Sequence, residues 1–351
     1  MTTIRDIAAA CGVAPQTVMS VIHNIPGKVS VETRARVLQA VRDMDYRPGA
    51  PRRRATAQKT HTIGMVGGWT SPCLMGVQSY YTDITTGAVV AAGEMKHNVL
   101  LFVSDLLYKD PMADIRLYCD GRCDGLVVIE PWNDSPLITA LLERGIPVVS
   151  VGHYGQYSHP LSIVDVDNRQ GMRDIVRALV SAGHRRIAFA GWDRRHSASI
   201  ERKDYFLQSL REYGVAAPEH FVHLPEETSE YEEITPWLRS VLSLPDGERP
   251  TAIAAWNDIT AGEIIRVANG MGLNVPADLS VTGFDDDPTV TSKVALTTVR
   301  QPYAQIGRRA IELLVDTING VEMEHGRVII PGELIMRQTI APPPSGSQDG
   351  E

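Results

Sequence analysis

The sequence predicts an N-terminal all-α helix-turn-helix headpiece and an α/β core of two doubly wound parallel-sheet subdomains. The first 46 residues carry helical caps and helical periodicity and no strand-like run. From Ile63 onward, apolar runs of four to six residues alternate with amphipathic helical stretches, the grammar of a parallel sheet covered on both faces. These runs are too many for one ordinary doubly wound sheet, and the order restarts at Ser162.

Thr3 is placed to cap a first helix, with Asp6 in the third position where a capping box has Glu. Ile4, Ile7, Ala8 and Cys11 share one face of it. Gly12 ends it, because glycine tolerates positive φ, and Val13-Ala14 make the turn. Pro15 suits the first turn of a second helix, where its missing N–H does no harm. Val18, Val21 and Ile22 form the buried face of that helix. Asn24 to Lys28, with Pro26-Gly27, reads as a loop. Ser30 caps a third helix whose apolar stripe is Val31, Ala35, Val37, Leu38 and Val41, ending near Tyr46 before Pro48. Residues 1–48 are thus a headpiece and 49–62 a hinge or linker containing Pro51 and Arg52-Arg53-Arg54.

In residues 63–340, strands are expected at Ile63–Val66, Val99–Val103, Leu126–Ile129 and Val148–Val151, then at Ile163–Val166, Ile187–Gly191, Phe221–Leu224, Ala252–Ala255 and Leu279–Phe284. Helices are expected at Asp83–Lys96, Ser135–Arg144, Arg169–Ala182, Ile200–Tyr213, Glu230–Ser243 and Ala261–Met271. The tail, 341–351, is rich in Pro, Ser and Gly, and is expected to be disordered.

Composition narrows the function. The 351 residues are 43% hydrophobic and 22% charged, enough to bury a large core. No apolar run approaches the roughly 18 residues that cross a bilayer. The N-terminus lacks a signal peptide's layout, so a cytoplasmic protein is expected. Four cysteines, with Cys119-x-x-x-Cys123 the only close pair, make neither a disulfide scaffold nor a zinc site. Net charge is −8, yet residues 1–60 carry +6 and the rest −14. A basic head on an acidic body suggests a polyanion-binding module, although a merely charged arm has the same arithmetic. Gly64-x-x-Gly67-Gly68 lacks dinucleotide-fingerprint spacing and there is no P-loop, so no cofactor is expected. Asp285-Asp286-Asp287 lacks a fourth spaced ligand, so no metal is expected either. No nucleophile–base–orienter set supports an enzyme.

The head has a more specific reading. A short helix, a Gly-containing turn and a second helix opening with small polar residues can enter the DNA major groove. Pro15, Gln16 and Thr17 stand at the start of that second helix, with Ser20 and His23 about a turn further on. Gln can bond adenine in bidentate fashion. Arg5, Lys28, Arg34 and Arg52–Arg54 can neutralise phosphates. The alternative is a plain three-helix bundle with a solvated charged face.

Several motifs carry a family resemblance. Thr3-Ile4-Arg5-Asp6-Ile7-Ala8, Gly12-Val13, Thr17-Val18, Val29-Ser30, Thr33-Arg34 and Tyr46-Arg47-Pro48 resemble the headpiece of the lactose/galactose-repressor (LacI/GalR) transcription regulators. The likeness continues through Ala182-Gly183-His184-Arg185-Arg186-Ile187-Ala188-Phe189, Trp256-Asn257-Asp258 and the run Val275 to Asp286. Leu296-Thr297-Thr298-Val299-Arg300-Gln301-Pro302 and Ile306-Gly307 extend it, so that it covers about residues 2–340.

The resemblance implies a transcription repressor, a homodimer or larger, whose paired headpieces read a pseudo-palindromic double-stranded DNA operator. It implies a core like that of periplasmic sugar-binding proteins, closing on a small effector, a carbohydrate or related metabolite. The N-subdomain is then expected at about 63–160 and 292–325, and the C-subdomain at about 161–291 and 326–340. Matching headpiece contact positions are Thr3, Ala14, Pro15, Gln16, Thr17, Met19, Ser20, His23, Ser30 and Thr33. Serine is common in the family at Ala14 and Met19, arginine at Ser20 and asparagine at His23, so operator sequence does not transfer. Ala55 stands where the family's hinge inserts a leucine between base steps; a smaller wedge implies less kinking. Arg52, Arg53 and Arg54 then either read a narrow minor groove or make non-specific phosphate contacts.

Matching effector positions are Arg202, Asn257 and Asp285. A guanidinium offers paired donors, an amide both donates and accepts, and a carboxylate accepts from hydroxyls. Asn257 equally suits a helix cap, and Asp285 a turn. Tyr80 and Tyr81 lie near the family's aromatic positions after the first strand. Trp132 and His153 follow the third and fourth strands at cleft-facing ends. The rival reading is a sugar-binding receptor without a regulatory role, which the core alone would allow.

Overall fold

A computed structural model of the chain describes residues 3–22, 29–44, 59–67, 78–103, 115–133, 135–152, 157, 159–226, 234–321 and 326–344. The chain divides into two compact units, one of Met1–Gln58 with Asp120–Arg122, the other of Lys59–Cys119 and Cys123–Glu351.

In the first unit, α1 (Ile4–Cys11), α2 (Pro15–Ile22) and α3 (Val31–Asp43) enclose Ile7, Ala8, Cys11, Val18, Val21 and Val37. The Asp6 N–H donates to the Thr3 hydroxyl at 3.2 Å, and the Thr3 N–H donates back to the Asp6 carboxylate at 2.7 Å. This reciprocal capping box starts α1, and its hydrogen bonds from Thr3 hold the Asp6 carboxyl below its usual range. Gly12 takes φ 61° and stops the helix. The expected stripe on α3 is corrected, because Ala35 and Leu38 are exposed. The packed side is Val37 with Ala40, Val41 and Met44. Both sets satisfy helical spacing, and only the position of α1 and α2 chooses between them.

The second unit runs β1 (Thr62–Gly67), α4 (Gln78–Glu94), β2 (Asn98–Val103), α5 (Ile115–Tyr118), β3 (Gly125–Ile129), α6 (Pro136–Glu143), β4 (Val148–Val151), β5 (Ser162–Val166) and α7 (Asn168–Ser181). It continues β6 (Ile187–Ala190), α8 (Ser197–Glu212), β7 (Val222–His223), α9 (Thr235–Leu242), β8 (Ala252–Ala255), α10 (Asp258–Gly270), β9 (Ser280–Asp285) and α11 (Pro288–Thr291). It closes with β10 (Thr297–Arg300), α12 (Tyr303–Ile318), β11 (Arg327–Ile330) and β12 (Glu333–Ile335). Among the described residues these strands form two six-stranded sheets, ordered β11-β5-β4-β3-β1-β2 and β12-β10-β9-β8-β6-β7. The pairings are parallel except that of β10 with β12.

Sheet membership corrects the expected subdomain ranges. Ser162–Val166 does not open the second lobe; it pairs with Val149–Val151 and completes the first. Thr297–Arg300 pairs with β9 in the second sheet, and Arg327–Ile330 with β5 in the first. The chain therefore passes between lobes after β5, after β10 and between β11 and β12. An apolar run says that a strand is buried on both faces. It does not say which sheet edge the strand completes.

Two constraints hold this core. Helices α4 and α12 meet backbone to backbone: a Cβ on Gly87 would run into the Ala304 carbonyl, and one on Gly307 into that of Ile84. In the second lobe, His184 is buried with Nδ1 2.9 Å from the Thr251 hydroxyl and Nε2 2.9 Å from the Ala341 carbonyl. It ties the C-terminal segment to two strand ends. Burial pulls its pKa down to about 4, against a smaller upward pull from Ala341.

Gly307→Ala is expected to cost roughly 1–3 kcal/mol by overpacking, read as a lower denaturation midpoint; an unchanged midpoint would contradict the close approach. The stability that depends on neutral His184 falls as pH falls. The unfolded chain takes up the proton near the ordinary value of 6.5 and the folded chain only near 4. Its contribution is therefore whole above pH 6.5 and lost toward pH 4, on the order of 3 kcal/mol. Urea titrations of parent and His184→Asn across that window should differ in pH slope.

Candidate functional site

On the headpiece, Pro15 opens α2 and is exposed with Gln16, while Thr17 is half-buried. Ser20 is corrected: it is buried, and its hydroxyl donates to the Gln16 carbonyl at 2.9 Å. It lies on the side of α2 packed into the core. Thr3, Ser30 and Thr33 stand at helix starts with their hydroxyls engaged in caps. His23, Arg52, Arg53, Arg54, Ala55 and His153 lie outside the described residues.

In the core, both parallel sheets end in side chains that converge. This is where open α/β sheets bind ligands, since strand carboxyl ends and the following loops leave a crevice there. Glu130 follows β3, Asn168 follows β5, Trp256 and Asn257 follow β8, Asp285 ends β9 and Gln301 follows β10. Arg202, one turn into α8, is at their centre and is only 4% exposed. Its Nε donates to Asn168 Oδ1 at 2.8 Å and its Nη1 to the Trp256 carbonyl at 2.6 Å. Asp285 Oδ1 lies 3.9 Å from Nη1. The guanidinium plane sits 3.8 Å from the Phe284 ring centroid.

Asp285 accepts from Gln301 Nε2 at 2.6 Å. Burial pushes its carboxyl well above the carboxylate range, against the pull of Arg202. Burial and the nearby Asp285 likewise keep the Tyr303 phenol a neutral donor. Asp285 and Asp286 both take positive φ, 138° and 59°, a strained conformation for non-glycine residues. Neighbours hold the turn in it. Arg337 and Arg300 bind the two oxygens of Asp286 at 2.6 and 2.7 Å. Asp258 accepts from the Asp287 N–H at 2.7 Å and from the Thr298 hydroxyl at 2.5 Å. Asn257 caps α10, its Oδ1 accepting from the Thr260 N–H at 2.8 Å.

Residues the sequence reading missed complete the centre. Arg327 on β11 donates to both oxygens of Glu201 and to Asp165 Oδ2 at 2.6 Å. Asn168 joins this cluster to Arg202 by donating to Glu201 at 3.0 Å. Burial, reinforced by Glu201 and opposed by Arg327, raises Asp165 to about 6. Glu130, also at positive φ (51°), lies 3.5 Å from His196 Nδ1. Burial alone would raise Glu130, but His196, Tyr80 and Arg202 bring it below its usual value.

The remaining expected aromatics divide. Tyr80 reaches Glu130, and its ring meets Tyr303 edge-on at 5.2 Å. Tyr81 is buried in the apolar core, its ring meeting that of Tyr80 edge-on at 5.2 Å. Trp132 lies under the Arg195 guanidinium at 4.3 Å, where the lobes touch. There Asn133 donates to the Arg194 and Arg195 carbonyls at 3.0 and 2.9 Å, and the Ser197 hydroxyl to the Gly152 carbonyl at 3.1 Å.

Among the described residues, no group of three or more His, Cys, Asp or Glu is placed to hold a metal, and no helix is long and apolar enough to cross a membrane. A helix-turn-helix head joined to a two-lobed core with a polar cleft defines a DNA-binding protein with a small-molecule domain. The description "Bacterial regulatory proteins, lacI family" matches residues 3–49, and "Periplasmic binding protein-like domain" matches residues 176–340. The HTH-type transcriptional regulator CelR of Thermobifida fusca is 30% identical over 343 residues, 96% of this chain and 98% of CelR. The HTH-type transcriptional repressor CytR of Escherichia coli strain K12 is 28% identical over 339 residues, 95% of each chain. The structure of a CelR–cellobiose complex superposes with a TM-score of 0.72 at 28% identity, covering 97% of this chain and all of that one. The chain belongs to the LacI family of bacterial transcription regulators and binds DNA as one of them. The receptor reading is set aside by the headpiece match.

Arg327→Ala leaves Asp165 and Glu201 buried without their cation, so it is expected to cost roughly 3–5 kcal/mol, measured by chemical denaturation. A loss below ~1 kcal/mol would mean the three groups are effectively solvated.

Proposed function

We propose that this regulator is a repressor. Two copies pair their headpieces on a pseudo-palindromic operator, and a carbohydrate bound in the cleft changes operator affinity. The observation that carries the effector half is Arg202: a buried guanidinium among Asn168, Asp285 and the Trp256 carbonyl, at the carboxyl ends of both sheets. Paired donors beside carboxylates and indole faces match the alternating hydroxyls and C–H faces of a sugar. CelR, which was solved with cellobiose, supports a saccharide for this chain too. On the headpiece, exposed Gln16 at the start of α2 is the side chain best placed to read bases. Pairing of two copies is supported by Val89 and Val90 on α4 and Leu101 on β2, which are 48%, 49% and 43% exposed. The reading makes the chain a cytoplasmic regulator rather than an enzyme. The effector acts by its differential affinity for two states of the protein, and shifts operator binding by that difference and no more.

Selection of bound sites from a random duplex pool, at two salt concentrations, is expected to return a two-fold symmetric motif. Salt-dependent binding with no motif would defeat the operator reading. Gln16→Ala should alter base preference at one position of each half-site, at about 1–3 kcal/mol per base pair; a uniform loss across sequences would remove it from base reading. Asp285→Asn should keep operator binding and lose the effector response. An unchanged response would remove Asp285 from the pocket.

A further inference from the structure

We propose that Asp124 is a positioning residue for operator binding: its carboxylate fixes the turn through which the chain passes from the linker into the first lobe. This rests on the operator reading above and names a joint on which it depends. Asp124 stands immediately before β3, and its two oxygens take three donors from two consecutive residues. Oδ1 accepts from the Thr60 N–H at 2.8 Å and from the Thr60 hydroxyl at 3.0 Å, and Oδ2 accepts from the His61 N–H at 2.8 Å. Backbone bonds hold the same residues from the other side. The Asp124 N–H donates to the Thr62 carbonyl at 2.8 Å, and the Asn98 N–H to the His61 carbonyl at 2.7 Å. Lys59 Nζ donates to Oδ1 of Asn319, the C-cap of α12, at 2.6 Å.

Apolar burial does not hold this segment, because Lys59, Thr60 and His61 are all exposed. His61 also takes φ 50°, a left-handed conformation that a non-glycine residue keeps only where its surroundings over-determine it. The carboxylate supplies that constraint, since hydrogen bonds to a charged acceptor are about twice as strong as neutral ones. Asp124 is in turn fixed by its neighbour. A Cβ on Gly125 would come within 2.9 Å of the Leu314 side chain and 3.0 Å of the Pro147 carbonyl, so the start of β3 is seated against α12 and the entry to β4.

The clamp lies at the amino ends of the parallel strands β1, β2 and β3, the opposite end of the first sheet from the carboxyl ends that form the cleft. It therefore acts on the linker and not on the pocket. Residues 1–58 belong to the first compact unit, and the clamp takes hold of the residues that follow. Two headpieces gain from binding one operator together only if their linkers start in fixed directions, because the second contact depends on the effective concentration that geometry allows. A single half-site makes no such demand. The clamp thus governs affinity for the paired site and leaves the intrinsic affinity of one headpiece alone.

The test compares full-length parent and variants on the two-fold symmetric duplex returned by site selection and on a duplex carrying one half-site. Asp124→Ala is expected to bind the symmetric duplex about tenfold more weakly or worse, with its half-site affinity unchanged. Asp124→Asn, which keeps one acceptor oxygen, should fall between. His61→Val leaves the carboxylate in place but disfavours positive φ, and should reproduce the loss. Asp278→Ala removes a similar carboxylate clamp in the second lobe, where Asp278 accepts from the Asn274 N–H and side-chain amide at 2.8 and 2.9 Å; it should bind both duplexes as the parent does. In the DNA-free protein, tryptic cleavage after Lys59, followed by mass spectrometry, should run several-fold faster in Asp124→Ala, because cleavage tracks the opened population. Parent-like binding of the symmetric duplex by Asp124→Ala overturns the inference, as does an equal loss on both duplexes or an unchanged cleavage rate. A parent that binds neither duplex better than a scrambled one defeats the operator reading, and the inference with it.

Discussion

Arg202 imposes the condition on which the core depends. A guanidinium taken out of water needs its charge balanced and its donors accepted, or it destabilises the fold by several kcal/mol. Its answers come from three different strand ends: Asn168 after β5, the Trp256 carbonyl after β8 and Asp285 at the end of β9. Asn168 also binds Glu201, which binds Arg327 on the first sheet. A single connected set of buried polar groups therefore crosses from one sheet to the other at the segments that join the lobes. Such a set is stable only when every member is satisfied, which ties the registers of both sheets together.

Backbone strain sits at the same place. Glu130, Asp285 and Asp286 all adopt positive φ without being glycine. The cost is offset by neighbours with little freedom of their own. Asp258 is buried against Gly283, where a Cβ would collide with its carboxylate, and it holds the Asp287 N–H and the Thr298 hydroxyl. The consecutive motif residues thus have separate tasks. Asn257 caps α10, Asp258 supports the Asp285 turn, and Asp285 faces Arg202. Burial with Asp286 and Asp287 nearby raises Asp258 to about 7, consistent with a carboxyl whose function is to hold a loop.

Much of the cleft was legible once strands were assigned. Glu130 and Gln301 directly follow apolar strands, and the rule that ligands sit at strand carboxyl ends points to both. Arg327 and Glu201 carried no comparable signal, since nothing local pairs β11 with β5. Ser20 differs from the sequence reading for another reason. On a helix, one residue turns the side chain by about 100°, so a shift of one position moves a side chain such as that of Ser20 from an exposed face to a packed one. Period alone leaves the phase of the buried face open.

By itself the sequence determined the order and kind of the elements from α1 to β9 except α5, the caps of α1 and α3, the stop at Gly12 and the family. These depend on short-range physics: hydrogen bonds across three residues, a glycine's freedom at positive φ, and the periods of apolar side chains. Only the tertiary structure decided which sheet β5, β10 and β11 join, which face of α3 is buried, and which charges meet around Arg202. Those outcomes rest on pairings between residues far apart in the chain. An isolated strand or buried charge is compatible with several partners until packing leaves it one.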